Sequence, residues 1–176
     1  MPIENKNIVL KGPYENVISE NNHFYLIHKF NKICVLPYTI SENGLLHKIG
    51  VIKELDVLKE KENYILINDY INQDDPTNLV AANRLLFEII GSNVKTADSW
   101  MYLGKINNII EAGEMIVYCV NLTDVDINES DVVEESKKAN KFELIEANKV
   151  VISDDALFLA AYMRLFNYFY VNSLHE

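Results

Sequence analysis

The stretch Asp75-Pro-Thr-Asn-Leu-Val-Ala-Ala-Asn-Arg-Leu-Leu-Phe-Glu-Ile-Ile-Gly91 decides the fold, because both of its ends carry helix signals. Asp75 is typical of a helix N-cap, and Pro76 suits the first helical position, where its missing N–H costs nothing. Gly91 suits the left-handed residue that follows a helix. The pattern therefore predicts one complete helix. One face is predicted to consist of Leu79, Asn83, Leu86, Phe87 and Ile90, and the other face of Leu85, Glu88 and Ile89.

Aromatic and β-branched runs on both sides of this helix predict strands. They cover residues 23–30, 32–38, 45–55, 64–67, 100–106 and 115–122. Residues 142–148 are predicted to form a short strand that runs into a helix, and Asp154 or Asp155 to cap a long helix that ends near Tyr170. Residues 123–140 are acidic and polar, which predicts an exposed loop. Strands before and after a central helix, with a second helix at the end, predict a mixed sheet that is covered on both faces.

Composition limits the classes of function. The 176 residues, 49% of them apolar, predict a single domain over residues 1–176, with strands in 1–30 and the C-terminal helix over 153–171. The net charge of -10 argues against nucleic acid and anionic membranes as partners, since both require a basic surface. The first residues lack the apolar core of a signal peptide, which predicts a cytoplasmic or virion location rather than secretion.

The two cysteines, Cys34 and Cys119, lie inside apolar, strand-like runs. This position favours two reduced, buried thiols over a disulfide. The chain is also rich in Asn, Lys, Ile and Tyr and contains only two arginines, Arg84 and Arg164. Such a bias is typical of an AT-rich genome, for example that of a phage or of a low-GC bacterium.

Four segments, in the order in which they occur, resemble the Nudix family, and the likeness is greatest to its ADP-ribose pyrophosphatase branch. Residues 81–91 look like the latter half of the Nudix box, Arg-Glu-apolar-x-Glu-Glu-x-Gly, and Arg84, Glu88 and Gly91 fall on box positions. Residues 33–53 look like the first core hairpin, 111–122 like the Pro-Gly loop and next strand, and 142–154 like the family's tail. The resemblance implies an α/β (α+β) fold, a Nudix-like α/β/α sandwich with a mixed β-sheet.

The chain departs from the Nudix box at the positions that would bind metal. Leu85 and Ile89 replace two family carboxylates, the family's opening Gly falls on Tyr70, and its first Glu falls on Pro76. In the family this helix binds Mg²⁺ or Mn²⁺, which activates the attacking water. One remaining carboxylate is a poor cage for such a cation. We therefore expect no metal cofactor and no catalytic residue, and interpret the chain as a catalytically degenerate binding or assembly module.

Two alternatives remain open. An active, metal-dependent diphosphatase acting on ADP-ribose or a related nucleoside diphosphate derivative would need Mg²⁺ or Mn²⁺ on Glu88, Glu111 and Glu114. The resemblance would then place its catalytic base at Glu134 or Glu135 in the polar loop, with Glu88 also in the catalytic set. A domain of this kind could also bind a nucleotide-sugar without cleaving it.

The C-terminal helix is apolar nearly all round, although one apolar face would suffice to pack it against a sheet. Its aromatic residues Tyr162, Phe166, Phe169 and Tyr170 supply more area than one buried stripe needs. Exposed aromatic surface usually marks a partner site. These four residues are therefore predicted to form an interface with a protein partner or a second copy, as in an oligomeric phage structural or accessory protein.

Overall fold

The structure is a computed structural model that describes residues 7–11, 15–20, 23–28, 31–56, 61–92, 94, 97–107, 111–112, 114–127 and 141–173. Within these ranges the strands are β1 Asn7–Lys11, β2 Glu15–Glu20, β3 His23–His28, β4 Lys32–Ile40, β5 Leu46–Asp56, β6 Lys61–Ile65, β7 Ile67–Tyr70, β8 Trp100–Asn107, β9 Glu111–Ala112, β10 Glu114–Asn121 and β11 Lys141–Glu146. The α-helices are α1 Asn78–Ile90 and α2 Ala156–Ser173. Short 3-10 helices cover Ala97–Ser99 and Ala147–Ile152.

The larger sheet is mixed, as predicted. Its strand order is β11-β5-β4-β10-β8, with β6 paired to β5 and β7 paired to β4. Strands β4 and β10 run parallel, and the other pairs in this sheet are antiparallel. A smaller sheet has the order β1-β2-β3-β9, in which β3 and β9 pair in parallel.

The alternating side chains of β4 divide the core of the larger sheet into two layers. Ile33 and Val35 pack in the apolar layer that contains α1, whereas Cys34 and Leu36 pack in the layer that contains α2. The two helices therefore cover opposite faces of the sheet, which confirms the predicted α/β/α sandwich. Cys34 and Cys119 are both buried free thiols in the α2 layer, and burial raises the pKa of each to about 12.

The start of α1 differs from the prediction. Thr77, not Asp75, is the N-cap, and its Oγ1 accepts a hydrogen bond from the Val80 N–H at 3.2 Å. Threonine is also among the residues favoured at an N-cap, and its use here leaves the carboxylate of Asp75 for an ion pair. The end of α1 is as predicted, because Gly91 has φ 69° and its N–H donates to Phe87 O at 2.9 Å.

The buried face of α1 also differs from the prediction. The buried residues are Ala81, Ala82, Leu85, Leu86 and Ile90, whereas Phe87 is 44% exposed. Two small alanines allow the helix backbone to approach the sheet closely, and this rotates Phe87 away from the core. The spacing of apolar residues is compatible with burial of either the predicted face or the observed one. The small size of Ala81 and Ala82 favours burial of the observed face.

Helix α2 is capped at its start and bonded to β8 from near its middle. Asp155 caps its start, because Oδ1 accepts from the N–H groups of Leu157 and Phe158 at 2.9 and 3.2 Å. Further along, Arg164 donates to the carbonyl oxygens of Leu103 and Lys105 on β8 at 3.1 and 3.0 Å. Those carbonyls flank Gly104, which has φ 101° at a bulge between β8 and β10.

In the part of the chain that the structure describes, no helix combines the length and apolar character needed to cross a membrane.

Candidate functional site

Leu85 and Ile89, which the sequence resemblance aligns with carboxylates of the Nudix box, are both packed against the sheet in this protein. Leu85 is 5% exposed and packs in the layer between α1 and the sheet. Ile89 is half-buried and packs against the same layer. An ionised carboxylate or a hydrated cation at these positions would have to displace packed hydrocarbon, at a large desolvation cost.

Arg84 is the centre of the polar contacts that remain on α1. Its Nη2 lies 2.9 Å from Asp75 Oδ2, and its Nε lies 3.1 Å from Asp75 Oδ1, which is a bidentate pairing. Its Nη1 lies 3.0 Å from Glu88 Oε1, as the i,i+4 spacing predicts. Its Nη2 also donates to Tyr70 O at 3.3 Å. One guanidinium therefore joins the two acids to the end of β7.

In this cluster Asp75 and Arg84 form an ion pair in which each group stabilises the charged form of the other. The side chain of Asp75 is only 6% exposed, and its hydrogen bonds to the Arg84 guanidinium lower the pKa of its carboxyl below the ordinary value of 3.8. The same bonds raise the pKa of Arg84. Both partners thus keep their charges over the whole neutral range, and the acid is satisfied by the base beside it.

These residues do not fit the Mg²⁺ or Mn²⁺ that the fold family uses. Such cations require several oxygen ligands, commonly carboxylates. Here Asp75 and Glu88 are both held by Arg84, whose positive charge would repel a cation. Nowhere in the described residues do three or more Asp, Glu, His or Cys side chains come together as a metal-sized group.

The other acids considered from the sequence lie apart from this cluster or outside the described residues. Glu114 is exposed on β10 and pairs with Lys105 on β8. The backbone of Glu111 pairs with Leu26 in the smaller sheet. Glu134 and Glu135 lie outside the described residues. Arg84 and Glu88 pair on α1, Gly91 ends that helix, and Asp75 joins the pair without having been predicted as an ion-pair partner.

A groove of about 360 Å³ lies at the carboxyl ends of the parallel strands β4 and β10. Its apolar lining is Ile40, Leu122, Val125, Ile127 and Leu144, and its polar lining is Thr39, His47, Lys48 and Thr123. The sequence reasoning missed this groove, because four separate segments contribute to it. The adjacent His47 and Lys48, close to the turn that joins β4 to β5, were the one local signal.

The aromatic residues of α2 divide into two groups. Tyr162 is buried, and Phe169 is half-buried with its ring edge-on to Tyr38 at 5.5 Å, so both contribute mainly to the core. Phe166 and Tyr170 are 42% and 55% exposed, and their rings are stacked at 6.2 Å. Any interface on α2 would therefore use Phe166 and Tyr170 rather than all four predicted residues.

Comparison with known proteins identifies the fold class. No protein-family model matches the sequence, and no curated protein matches it. Solved structures do match: the chain has a Nudix-like fold. It is similar to an ADP compounds hydrolase at a TM-score of 0.63 and 14% identity, over 96% of this chain and 93% of that one. It is also similar to a protein described as a NUDIX hydrolase from Listeria monocytogenes str. 4b F2365, at a TM-score of 0.57 and 14% identity, over 81% of this chain and 95% of that one.

Proposed function

We propose that this protein is a non-catalytic Nudix-like domain that acts as a binding or assembly module. The observation that carries the proposal is the state of α1. Leu85 packs in the core, Ile89 packs against it, and the acids nearby are neutralised by Arg84. A helix in this state has no free carboxylates with which to hold a divalent cation beside a diphosphate.

Replacing clustered carboxylates by aliphatic side chains changes the balance between stability and chemistry. Like charges repel and must be hydrated, whereas Leu85 contributes buried apolar area at about 25 cal/mol per Å². The scaffold gains stability and loses the group that would activate water. Higher stability without catalysis suits a domain whose function is to bind other molecules through its surface.

The surface that we propose for binding is the outer side of α2, which we call the α2 surface and define by Met163, Phe166 and Tyr170. These side chains are 50%, 42% and 55% exposed. They follow one another at spacings of three and four residues, so they form one stripe along the helix. Such a stripe suits a second helix, from a protein partner or from a second copy of this chain.

The abundance of Asn, Lys, Ile and Tyr and the scarcity of arginine are typical of an AT-rich genome, and on this ground we propose a structural or accessory role in a phage. Location in a virion or in the cytoplasm is part of this proposal.

A hydrolysis assay tests the non-catalytic part of the proposal. The protein is incubated with ADP-ribose and Mg²⁺ or Mn²⁺, and product release is followed by ³¹P NMR. We expect no cleavage above a protein-free blank. Thermal unfolding with and without Mn²⁺ should give the same midpoint, because a cation that binds the folded state would raise it.

The matched control is Glu88→Gln, which keeps the shape of the one remaining box glutamate and removes its charge. Metal-dependent cleavage that disappears in this variant would overturn the proposal in favour of a diphosphatase. Cleavage that persists unchanged in Glu88→Gln would be traced to a contaminant, because the variant lacks the family's remaining metal ligand, and the proposal would stand.

A further inference from the structure

The groove at the carboxyl ends of β4 and β10 has a rigid frame. Thr123 Oγ1 accepts from the Ile40 N–H at 3.0 Å and donates to Asn121 Oδ1 at 2.6 Å. The Leu122 N–H donates to Tyr38 O at 2.8 Å, which extends the pairing of the two strands to the floor of the groove. Because these bonds are already made, a ligand would not have to order this part of the wall.

One wall of the groove is apolar and continuous with the core. Leu122 is buried, and Val125, Ile127 and Leu144 pack against the same apolar layer that contains α1. A second part of the lining comes from the two strands of the β4–β5 hairpin, where Thr39 Oγ1 accepts from the Lys48 N–H at 3.2 Å. The groove therefore presents both hydrocarbon and polar groups, which is the usual composition of a small-molecule site.

The charge of the groove is opposite to that of the protein. The chain carries a net charge of -10, yet the described residues that line the groove include Lys48 and His47 and no acid. Among the described residues, no carboxylate forms an ion pair with the Lys48 ammonium, whereas His47 Nε2 lies 3.7 Å from Glu146 Oε2. Asp124 and Asp126 flank Val125 in sequence but do not line the groove. Lys48 is thus available for an anionic group.

We propose that this groove binds a compact organic anion, with its apolar or ring portion on Leu122, Val125 and Leu144 and its acidic group on Lys48. A volume of about 360 Å³ lies near the lower end of the range of about 300–1,000 Å³ for ligand pockets, which favours one ring and one acidic group over a large diphosphate. An ammonium group acts as a point charge that donates hydrogen bonds, so it can bind either a phosphate or a carboxylate. The groove is separate from the α2 surface and needs no metal.

The test is an NMR titration of the ¹⁵N-labelled full chain with four probes at equal concentration. Phenyl phosphate and benzoate each carry a ring and an acid, and they distinguish the two sources of the acidic group. Phenol carries the ring alone, and inorganic phosphate carries the charge alone. We expect phenyl phosphate or benzoate to shift the amide signals of Ile40, Leu122 and Val125 in a saturable way, and phenol and inorganic phosphate to shift them much less.

Three variants make the assignment specific. Lys48→Met should weaken binding about tenfold, because it removes one charge-assisted contact. Lys48→Arg should retain binding, and Lys149→Met, which makes the same change in net charge at an exposed site outside the groove, should leave it unchanged. Unchanged binding in Lys48→Met would overturn the proposal, as would saturable shifts with inorganic phosphate equal to those with phenyl phosphate, or no saturable shift with either ring acid. Each of these outcomes concerns the groove alone, so none of them bears on the hydrolysis assay or on the α2 surface.

Discussion

Helices α1 and α2 cover opposite faces of one sheet, and they hold the only two arginines of the chain in different ways. Arg84 on α1 pairs with the carboxylates of Asp75 and Glu88, so it neutralises acids. Arg164 on α2 donates to two backbone carbonyls of β8 and leaves an apolar stripe exposed beside it. The α1 side is a closed, charge-balanced layer, whereas the α2 side bonds to β8 through Arg164 and displays an apolar surface.

The two faces of the sheet therefore differ in what their helices expose. On the α1 side, Leu85 fills the core and the nearby acids pair with Arg84. A binding surface needs apolar groups that the core does not use, such as Phe166 and Tyr170. Four changes to the protein test whether the two sides differ as described, and they follow from the largest expected effect to the smallest.

Placing a carboxylate at Leu85 on α1 should cost the most stability. Leu85→Glu places an unpaired charge in a packed apolar layer, and we expect it to lower the free energy of unfolding by about 3 kcal/mol or more. Ile89→Glu is the comparison, because that position is half-buried and a charge there reaches water more easily. Urea unfolding measures both. If Leu85→Glu leaves stability unchanged and Mn²⁺ raises its midpoint, the α1 side is an open cleft and not a closed layer.

Removing the guanidinium on α1 should have the next largest effect. Arg84→Met leaves the nearly buried carboxyl of Asp75 without its main partner, and we expect a loss of about 2 to 3 kcal/mol at pH 7. Glu88 is half-exposed, so its pair with Arg84 adds little. A cycle with Asp75→Asn isolates the Arg84–Asp75 contribution. If the losses of the two single variants add up to that of the double variant, the Arg84–Asp75 ion pair contributes no interaction energy to stability.

The same contribution has a predictable pH dependence. Because the fold lowers the pKa of Asp75, the ion pair stabilises the protein fully above the ordinary value of 3.8 and loses this effect as the pH falls through the lowered pKa. The difference in unfolding free energy between Arg84→Met and the parent should therefore be constant near neutrality and shrink below pH 3.8. A difference that grows on acidification would contradict the assignment.

Adding a single methyl group at Gly104 should disturb the contact between α2 and β8 and lower the free energy of unfolding. An alanine at Gly104 would adopt a strained positive φ, and its Cβ would lie 3.1 Å from the Arg164 Nη1 atom. We expect Gly104→Ala to cost about 1 to 2 kcal/mol. Gly44→Ala is the control, because Gly44 also has a positive φ of 76° but has open space around it. Equal losses at the two glycines would mean that Arg164 contributes nothing at the bulge.

Charging the α2 surface should have the smallest effect on stability and the clearest effect on association. Phe166→Glu should change the free energy of unfolding by no more than about 0.5 kcal/mol, because the side chain lies at the surface and a carboxylate there can reach water. It should abolish any concentration-dependent rise in mass above 20.3 kDa in light scattering. Phe87→Glu is the control on α1, since Phe87 is 44% exposed and Phe166 is 42% exposed. A parent protein that stays monomeric at every concentration would exclude self-association and leave only a different protein as partner.

An element of the fold could be predicted from the sequence wherever its own residues and the turns or caps beside it mark its position. The apolar runs that became β4, β5 and β10 are bounded by turns, and the cap at Asp155 precedes a long apolar run, so both were predicted correctly. Residues 64–67 were predicted as one strand, but the structure divides the region into β6 and β7 at Leu66. The Leu66 N–H donates to the side chain of Asp155 at 3.3 Å, 89 positions away. No local pattern encodes a break that a distant residue stabilises.

The candidate sites were harder to predict for the same reason. The pair Arg84 and Glu88 follows from helical spacing, but Asp75 joins them only because Thr77 takes over the capping role. The groove is assembled from side chains on β4, β5, β11 and the segment after β10, and its character depends on tertiary placement alone. On α2, composition indicated surplus aromatic area, but only packing showed that Tyr162 belongs to the core.

The parallel pairing of β4 with β10 has a consequence for the synthesis of the protein. The Ile40 N–H reaches Thr123 across 83 positions, and Ile33 lies opposite Ile116. At about 5–20 residues per second, a ribosome needs several seconds to deliver β10 after β4 has emerged. Strands β5 and β7, which lie between β4 and β10 in sequence, pair with one edge of β4. Until β10 is made, the other edge of β4 has no partner strand and is open to mispairing with another nascent chain. Slowed translation between residues 41 and 114 should therefore lower the soluble yield.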